Sequence, residues 1–319
     1  MPDVAIRPFS DDHLDAAARL LSARHRSQRA HEALLPERFE DPAAAREQIE
    51  LLWRRPEASG WAAFRAGRLV AYLIGVVRER VDEPHVWVDY AGHAAEEAED
   101  IRDVYAAAAA QWAEEKRLQH YVQVPTCDAA LITSWFRLSF GQQQADGVRE
   151  VPQRRDVPIP AGFGIRRPTA ADVEELLHVD LALPLHHRSS PVFSTRPLPT
   201  ADELRAEWQK TLSGDKETLF VGLRGDKPVA CWSLVDADGY MAPLIAPERA
   251  CFLGFAATIP EARGSGIGVA LTETALAWAA DEGYRAMGTD WRVTNLLASR
   301  FWPRRGFRPT FFRLYRHIP

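Results

Sequence analysis

A chain of 319 residues has room for two ordinary domains with cores of their own. Apolar residues make up 46 % and charged residues 26 %, as in globular proteins, and the net charge of −5 argues against a nucleic-acid or anionic-membrane surface. Cys127, Cys231 and Cys251 lack CxxC spacing and imply neither a disulfide framework nor a zinc site, which suits a reducing cytoplasm. The start, MPDVAIRPFSDD, lacks a signal-peptide pattern, and no apolar run is long enough to span a bilayer.

In chain order, VAIRPFSDDHLDAAARLL from Val4 reads as a short strand, then a helix capped by Ser10. GWAAFRAGRLVAYLIGVV from Gly60 is a hairpin turning at Ala66-Gly67. YAGHAAEEAEDIRDVYAAAAAQWAEEK from Tyr90 holds an acidic run and a long helix, and CDAALITSWFRLSFG from Cys127 a shorter helix. VREVPQRRDVPIPAGFG from Val148, rich in proline and charge, reads as an exposed linker between domains 1–152 and 153–319.

The second half runs through the same elements. FGIRRPTAADVEELLHVD from Phe163 repeats the opening, with Thr169 as the cap, and TLFVGLRGDKPVACWSLV from Thr218 repeats the hairpin around Gly225-Asp226. Ile6 falls on Ile165 and Ala71 on Ala230 at one constant offset; Asp128 falls on Asn295, Trp135 on Trp302 and Phe140 on Phe307 at a second. Ordered matches of this kind imply internal duplication, with a longer middle in the second copy. Each copy reads strand, two helices, hairpin, strand, long helix, strand, helix, strand. That is an α/β (α+β) pattern with a mixed central sheet flanked by helices.

The strand Cys251–Thr258 leads to EARGSGIGVALTETALAWAADEGY from Glu261. Gly264, Gly266 and Gly268 stand at the mouth of a helix, where glycine weakens helical structure. The usual reason is that backbone N–H groups must closely approach a phosphate. A Walker loop needs Gly-Lys-Ser/Thr, and this loop continues Gly-Val-Ala. A dinucleotide fingerprint needs GxGxxG opening a βαβ unit; here the glycines alternate and a hairpin precedes them. Leu271, Ala275, Leu276 and Trp278 recur at helical spacing and belong to the core, and Gly283 stops the helix.

Arg263-Gly264-Ser265-Gly266-Ile267-Gly268, after a strand ending in Ile259-Pro260, resembles the acyl-CoA loop of the GNAT N-acyltransferase superfamily. Asn295, Ala298, Phe301, Gly306 and Phe307 fall where many members carry Asn, Ala and Phe-Tyr-x-x-x-Gly-Phe. With the hairpin, the resemblance covers the second half. It implies a tandem duplication of the GNAT fold and an acetyl-CoA site: Arg263, Gly264, Ser265, Gly266, Ile267 and Gly268 at the pyrophosphate, Ala256, Ala257 and Thr258 along the pantetheine arm, Asn295 and Trp302 beside it. A backbone N–H near Ala257 is the implied oxyanion donor. The implied reaction is acetyl transfer to a primary amine of a small molecule. It needs no metal, nucleic acid or membrane, and the protein would be a monomer or homodimer. A non-catalytic acyl-CoA-binding regulatory protein is the alternative.

Many relatives protonate the leaving thiolate with the Tyr that follows the Phe. Here that position is Trp302, whose indole does not ionise usefully near neutral pH. Water or Tyr315 would replace it. Asp290, near the end of the strand after the long helix, is the candidate base, with Asp180 and Tyr240 as further candidates. His186 and His187, expected in the segment after the first helix of the second half, are placed at the acceptor. In the first half Gly92 is the sole glycine of the corresponding stretch, and Glu96, Glu97, Glu99 and Asp100 stand where phosphates would sit. The first copy therefore reads as a degenerate GNAT domain that keeps the fold without the cofactor loop.

Overall fold

The computed structural model describes residues 4–78, 84–153 and 158–319. Residues 154–157 of the expected linker, and the first three of the chain, lie outside the described residues. The first copy runs β1 (Ala5–Pro8), α1 (Leu14–Arg29), α2 (Pro42–Trp53), β2 (Ala58–Arg65), β3 (Arg68–Arg78), β4 (His85–Val88), β5 (His93–Ala95), α3 (Asp100–Glu114), β6 (Gln119–Pro125), α4 (Ala129–Arg137) and β7 (Gly141–Glu150). The second runs β8 (Phe163–Arg166), α5 (Val173–Arg188), α6 (Ala201–Ser213), β9 (Glu217–Arg224), β10 (Lys227–Asp236), β11 (Ala250–Thr258), α7 (Ile267–Asp281), β12 (Ala286–Arg292), α8 (Leu296–Arg304) and β13 (Arg308–His317). Corresponding elements agree in length: 16 residues in α1 and α5, 15 in α3 and α7, 9 in α4 and α8, 10 in β7 and β13. Insertion is confined to the stretch between hairpin and long helix.

The compact units do not divide at 152/153. One comprises Met1–Ala145 with Pro309–Pro319, the other Asp146–Arg308. The chain's last strand therefore serves the first unit, where β13 pairs antiparallel with β6 from Phe311↔Pro125 to His317↔Gln119. In the second unit the far end of β7 continues to the bond from Val151 N–H to the Arg285 carbonyl, 2.9 Å.

In the second unit the sheet order is β7-β12-β11-β10-β9-β8. One core packs Val173, Leu176 and Val179 of α5 and Leu204 and Trp208 of α6 on Val221, Cys231 and Ala257 of the sheet. Burial of such side chains is worth about 1.5–3 kcal/mol each. Helix α7 buries Ile267, Leu271, Ala275 and Leu276. Its first turn comes close to the sheet because Gly222 has no side chain: a Cβ there would lie 2.6 Å from Ile267 Cγ1. The expected Thr169 cap is present, with Asp172 reaching back to the Thr169 N–H at 2.6 Å. Arg166 holds the Asp172 carboxyl down to about 2. In the first unit the long helix α3 anchors the core through Val104, Tyr105, Ala108 and Trp112, with Trp135 and Phe140 from the following elements.

Candidate active site

Two strand irregularities build the site. β11 pairs with β10 along most of its length, from Ala230↔Thr258 to Asp236↔Cys251, with the register shifting between Ser233↔Phe255 and Leu234↔Leu253. Gly254 is the extra residue of that bulge, and the bulge bends the strand. On its other side β11 pairs parallel with β12 only from Ala250↔Ala286 to Leu253↔Thr289. Beyond Leu253 that edge has no strand partner among the described residues. The Ile259 N–H bonds the Val229 carbonyl at 3.0 Å, so alternation turns Ala257 toward β10 and the N–H and C=O groups of Ala256 and Thr258 to the open edge. The open donors are thus Ala256 and Thr258, and not Ala257, whose side chain packs in the core.

Along this edge runs a cavity of about 400 Å³, lined by Ala256, Ala257 and Thr258, by Arg263, Gly264, Gly266 and Gly268, by Trp232, and by Asn295, Phe301 and Trp302. One end is the mouth of α7. Gly264 and Gly266 have φ of +76° and +90°, a region that penalises side chains, and Gly266 caps the helix without a side chain. First-turn N–H groups of a helix have no intrahelical carbonyl to bind, and the helix dipole adds positive potential there. Arg263 braces the loop through Nε–H to the Thr258 carbonyl, 3.2 Å. Ser265 Oγ donates to the Ala262 carbonyl at 2.7 Å and accepts from Ile267 N–H at 3.4 Å. These two side chains hold the turn. Ser265 and Ile267 are not among the lining residues, and Ile267 is buried in the core.

At the other end Asn295, 4 % exposed, caps α8: its Oδ1 accepts from Leu297 N–H at 3.1 Å and Ala298 N–H at 3.2 Å. His186 Nε2 lies 3.1 Å from the same Oδ1, and Asn295 Nδ2 lies 3.2 Å from His187 Nε2. Both histidines sit in the last turn of α5 rather than in a segment after it. An amide oxygen accepts only, so His186 carries its proton on Nε2; the amide N–H₂ donates, so His187 Nε2 is bare. Burial, with Arg292 and His186 nearby, pushes His187 down to about 4, which keeps it neutral. Trp302, 5 % exposed, packs edge-on against Phe301 and Phe307 with ring centroids 4.9 and 5.4 Å away.

Further along β11, at the bulge, a second cavity of about 200 Å³ is lined by Asp180, Glu207, Trp208, Glu217, Ser233 and Tyr240, with Gly254 in its wall. Trp208 Nε1–H donates to Asp180 Oδ2 at 3.0 Å. Burial raises the Asp180 carboxyl to about 6 despite that bond, and Glu207 adds to the rise. Two of the weaker sequence candidates, Asp180 and Tyr240, thus meet in one place. Asp290, on β12, lines neither cavity, and Tyr315 belongs to the other unit, its ring 4.9 Å from Tyr121. Sequence reasoning missed Trp232 and Phe301 as walls. Phe301 enters the sequence pattern only as a motif position, and nothing in the sequence singles out Trp232.

The first unit shows what the same framework becomes without the open edge. β4 and β5 pair with β3 at positions equivalent to the two ends of β11, separated by Asp89–Gly92. A cavity of about 540 Å³ persists, lined by Ala23, Arg24 and Ser27 where the second copy has Ala182, Leu183 and His186, and by Asp128 where it has Asn295. Arg24 donates both terminal nitrogens to backbone carbonyls, of Tyr90 and of His93; His93 is the counterpart of Ala256. The edge is thereby occupied. The acidic run is paired too: Glu96 with Arg68, Asp100 and Glu97 with Arg65, Glu99 with Arg102 and Arg137.

Among the described residues no group of three or more His, Cys, Asp or Glu is placed to hold a metal ion, and no helix is long and apolar enough to cross a membrane. Residues 183–307 match the acetyltransferase (GNAT) family. No curated protein matches the chain. Among solved structures, a GCN5-related N-acetyltransferase from Sphaerobacter thermophilus superposes with a TM-score of 0.60 at 16 % identity, covering 99 % of this chain and 96 % of that one. A GCN5-related glucosamine N-acetyltransferase region of a fungal multi-domain GH3 β-N-acetylglucosaminidase gives 0.57 at 16 % identity, over 99 % of this chain and 38 % of that one. A tandem GNAT protein from the clavulanic acid biosynthesis pathway gives 0.51 at 14 %, over 98 % and 97 %. At these identities the likeness carries the fold. The matched domain thus carries the GNAT acetyltransferase pattern over residues 183–307, and the chain as a whole shares the fold of GNAT structures, a tandem one among them.

Proposed function

We propose that the second unit transfers an acetyl group from acetyl-CoA to a primary amine of a small molecule, and that the first unit keeps the fold without taking CoA. One observation carries this reading: the unpaired edge of β11 runs along a cavity that ends on the glycine mouth of α7. The residues fit the co-substrate. Helix-end N–H groups suit a pyrophosphate, a bare strand edge suits the amide groups of a pantetheine arm, and Ala256 and Gly268 leave room for both.

The chemistry asked of the site is aminolysis of a thioester. An ammonium in the bulge cavity is attracted by Asp180, Glu207 and Glu217. Asp180, buried and poised near 6, takes its proton at neutral pH. The free amine attacks the thioester carbon, and the developing oxyanion lies within the reach of the open-edge N–H of Ala256 or Thr258. Trp302 acts as packing beside the arm.

The test is release of free thiol from acetyl-CoA across a panel of small amines. Amine-dependent release supports the transferase. Tight CoA binding with no release for any amine would favour the non-catalytic acyl-CoA-binding reading, which the Trp at the usual Tyr position motivates.

A further inference from the structure

The reaction leaves a thiolate, and the residue that usually protonates it is an indole here. The wall of the same cavity holds an alternative. His186 lines it, and the only hydrogen bond its ring makes among the described residues is Nε2–H to Asn295 Oδ1 at 3.1 Å. That oxygen is itself fixed, since it accepts two N–H groups of the first turn of α8. Asn295 cannot rotate its amide without losing these bonds and the one to His187 Nε2. Nε2 is thereby committed as a donor, and Nδ1 is the nitrogen at which the ring gains or gives a proton. In the first copy the same two positions are Ser27 and Asp128, so the pair is peculiar to the unit with the open edge.

We propose that His186, oriented by Asn295, is the proton donor to the CoA sulfur; this rests on the acetyl-CoA reading above. As the tetrahedral adduct collapses, the C–S bond breaks with its electron pair going to sulfur. The proton of the imidazolium Nδ1 passes to that sulfur, giving CoA–SH and a neutral imidazole. The ring then regains a proton from solvent; of the two protons that the ammonium nitrogen gives up on becoming an amide, one has gone to Asp180 before attack and the second leaves the nitrogen of the adduct for solvent. His187 and Arg188 follow His186 on its own helix, Arg292 acts on the neighbouring His187, and Arg263 lies elsewhere on the cavity wall.

The test does not need the acceptor. CoA is bound to the full chain, and its thiolate is titrated by ultraviolet absorbance, for the wild type and for His186→Gln. Gln keeps a donor to Asn295 but does not titrate. An imidazolium beside a thiolate lowers the thiol's pKa, typically by about 1–3 units, and the two groups titrate as a pair. The expected result is a bound thiol at least about one unit more acidic in the wild type than in His186→Gln. Equal titration in both, with CoA bound to both, overturns the assignment. Failure of the wild type to bind CoA at all overturns the cofactor reading instead, and this proposal with it.

Discussion

Gly268 lies against Trp232: a Cβ on the glycine would come 3.4 Å from the indole Cη2 and 3.8 Å from the Phe301 ring. The indole N–H points to Thr272 Oγ1 at 3.3 Å, and that hydroxyl donates to the Gly268 carbonyl at 2.9 Å. The loop's glycines are therefore not equivalent. Gly264 and Gly266 supply left-handed backbone, whereas Gly268 has ordinary backbone and sits where a Cβ would make only ordinary contact with the cavity wall.

Gly266→Glu should abolish CoA binding, because it sets a carboxylate at the helix mouth where the pyrophosphate is proposed to sit. The φ of +90° and a Cβ 3.2 Å from Pro160 Cγ mean that any side chain strains this position, by about 1–2 kcal/mol. Gly266→Ala carries that strain without the charge. Calorimetry with CoA should show at least ~100-fold weaker binding for Glu than for Ala, about 2.7 kcal/mol. Equal affinities would remove the phosphate site from this loop.

One CoA should bind per chain. In the first unit Arg24 already occupies the carbonyls of Tyr90 and His93, and the loop is replaced by carboxylates paired with arginines. A calorimetric stoichiometry of two would show that this edge opens for a ligand.

Stability should fall as the pH drops from about 6.5 toward 4. Burial pushes His25 and His120 down to about 4 and His93 to about 3. Unfolded histidines take protons near 6.5, so between these values the unfolded chain binds more protons, and stability is full above the window and lost within it. His93 donates Nε2–H to the Gln123 carbonyl at 2.8 Å, and its buried Nδ1 has no partner, so protonation there adds both a charge and an unpaired donor. The urea midpoint should be lower at pH 5 than at pH 7.5. His93→Gln should narrow that difference by on the order of 1–3 kcal/mol. An undiminished difference would place the pH sensitivity elsewhere.

Asp180→Asn should lower amine-dependent turnover by about 10²–10⁴-fold if the carboxylate is the base. In the wild type the rate should fall as pH drops below about 6, where the carboxyl takes up its proton. The variant should lack this limb. CoA binding is the control, since Asp180 does not line the CoA cavity. A variant that retains the rate and its acid limb would return the base to another group.

Much of this was legible in the residues, and the failures have physical causes. Duplication is readable because matched residues such as Ala71 and Ala230 or Trp135 and Trp302 keep two constant offsets, and the equal element lengths agree with it. The loop was readable because glycine at a helix mouth has few uses. The boundary was not, because strand exchange at the C-terminus is a matter of partner choice that local pattern does not encode. His186 and His187 are expected in the segment after the helix, yet α5 continues through Pro184 to Arg188. The bulge cavity was unreadable: Asp180, Glu217 and Tyr240 converge only once α5, β9 and the segment after β10 are packed. Asp290 stands near the end of its strand, and the pairing of β12 with β11 ends just before it, at Thr289.

Trp302→Phe should keep most of the turnover and mainly weaken CoA binding. The indole is nearly buried between Phe301 and Phe307 and also lines the cavity proposed for CoA, so the proposed role is apolar contact. Phe is smaller and lacks the N–H, so the change leaves a gap in a packed aromatic cluster. Loss of such contact costs about 1–3 kcal/mol, which amounts to a several-fold to ~100-fold loss of CoA affinity and a lower melting temperature. An indole does not titrate near neutral pH, so its removal should leave the pH dependence of kcat unchanged. Trp302→Tyr offers the converse check: it would restore a phenol at the position relatives use, and should leave a bell-shaped profile intact if His186 already supplies the proton. A drop of about 10²–10⁴-fold in kcat for Trp302→Phe, with CoA affinity unchanged, would mean that the indole N–H acts on the reacting centre itself.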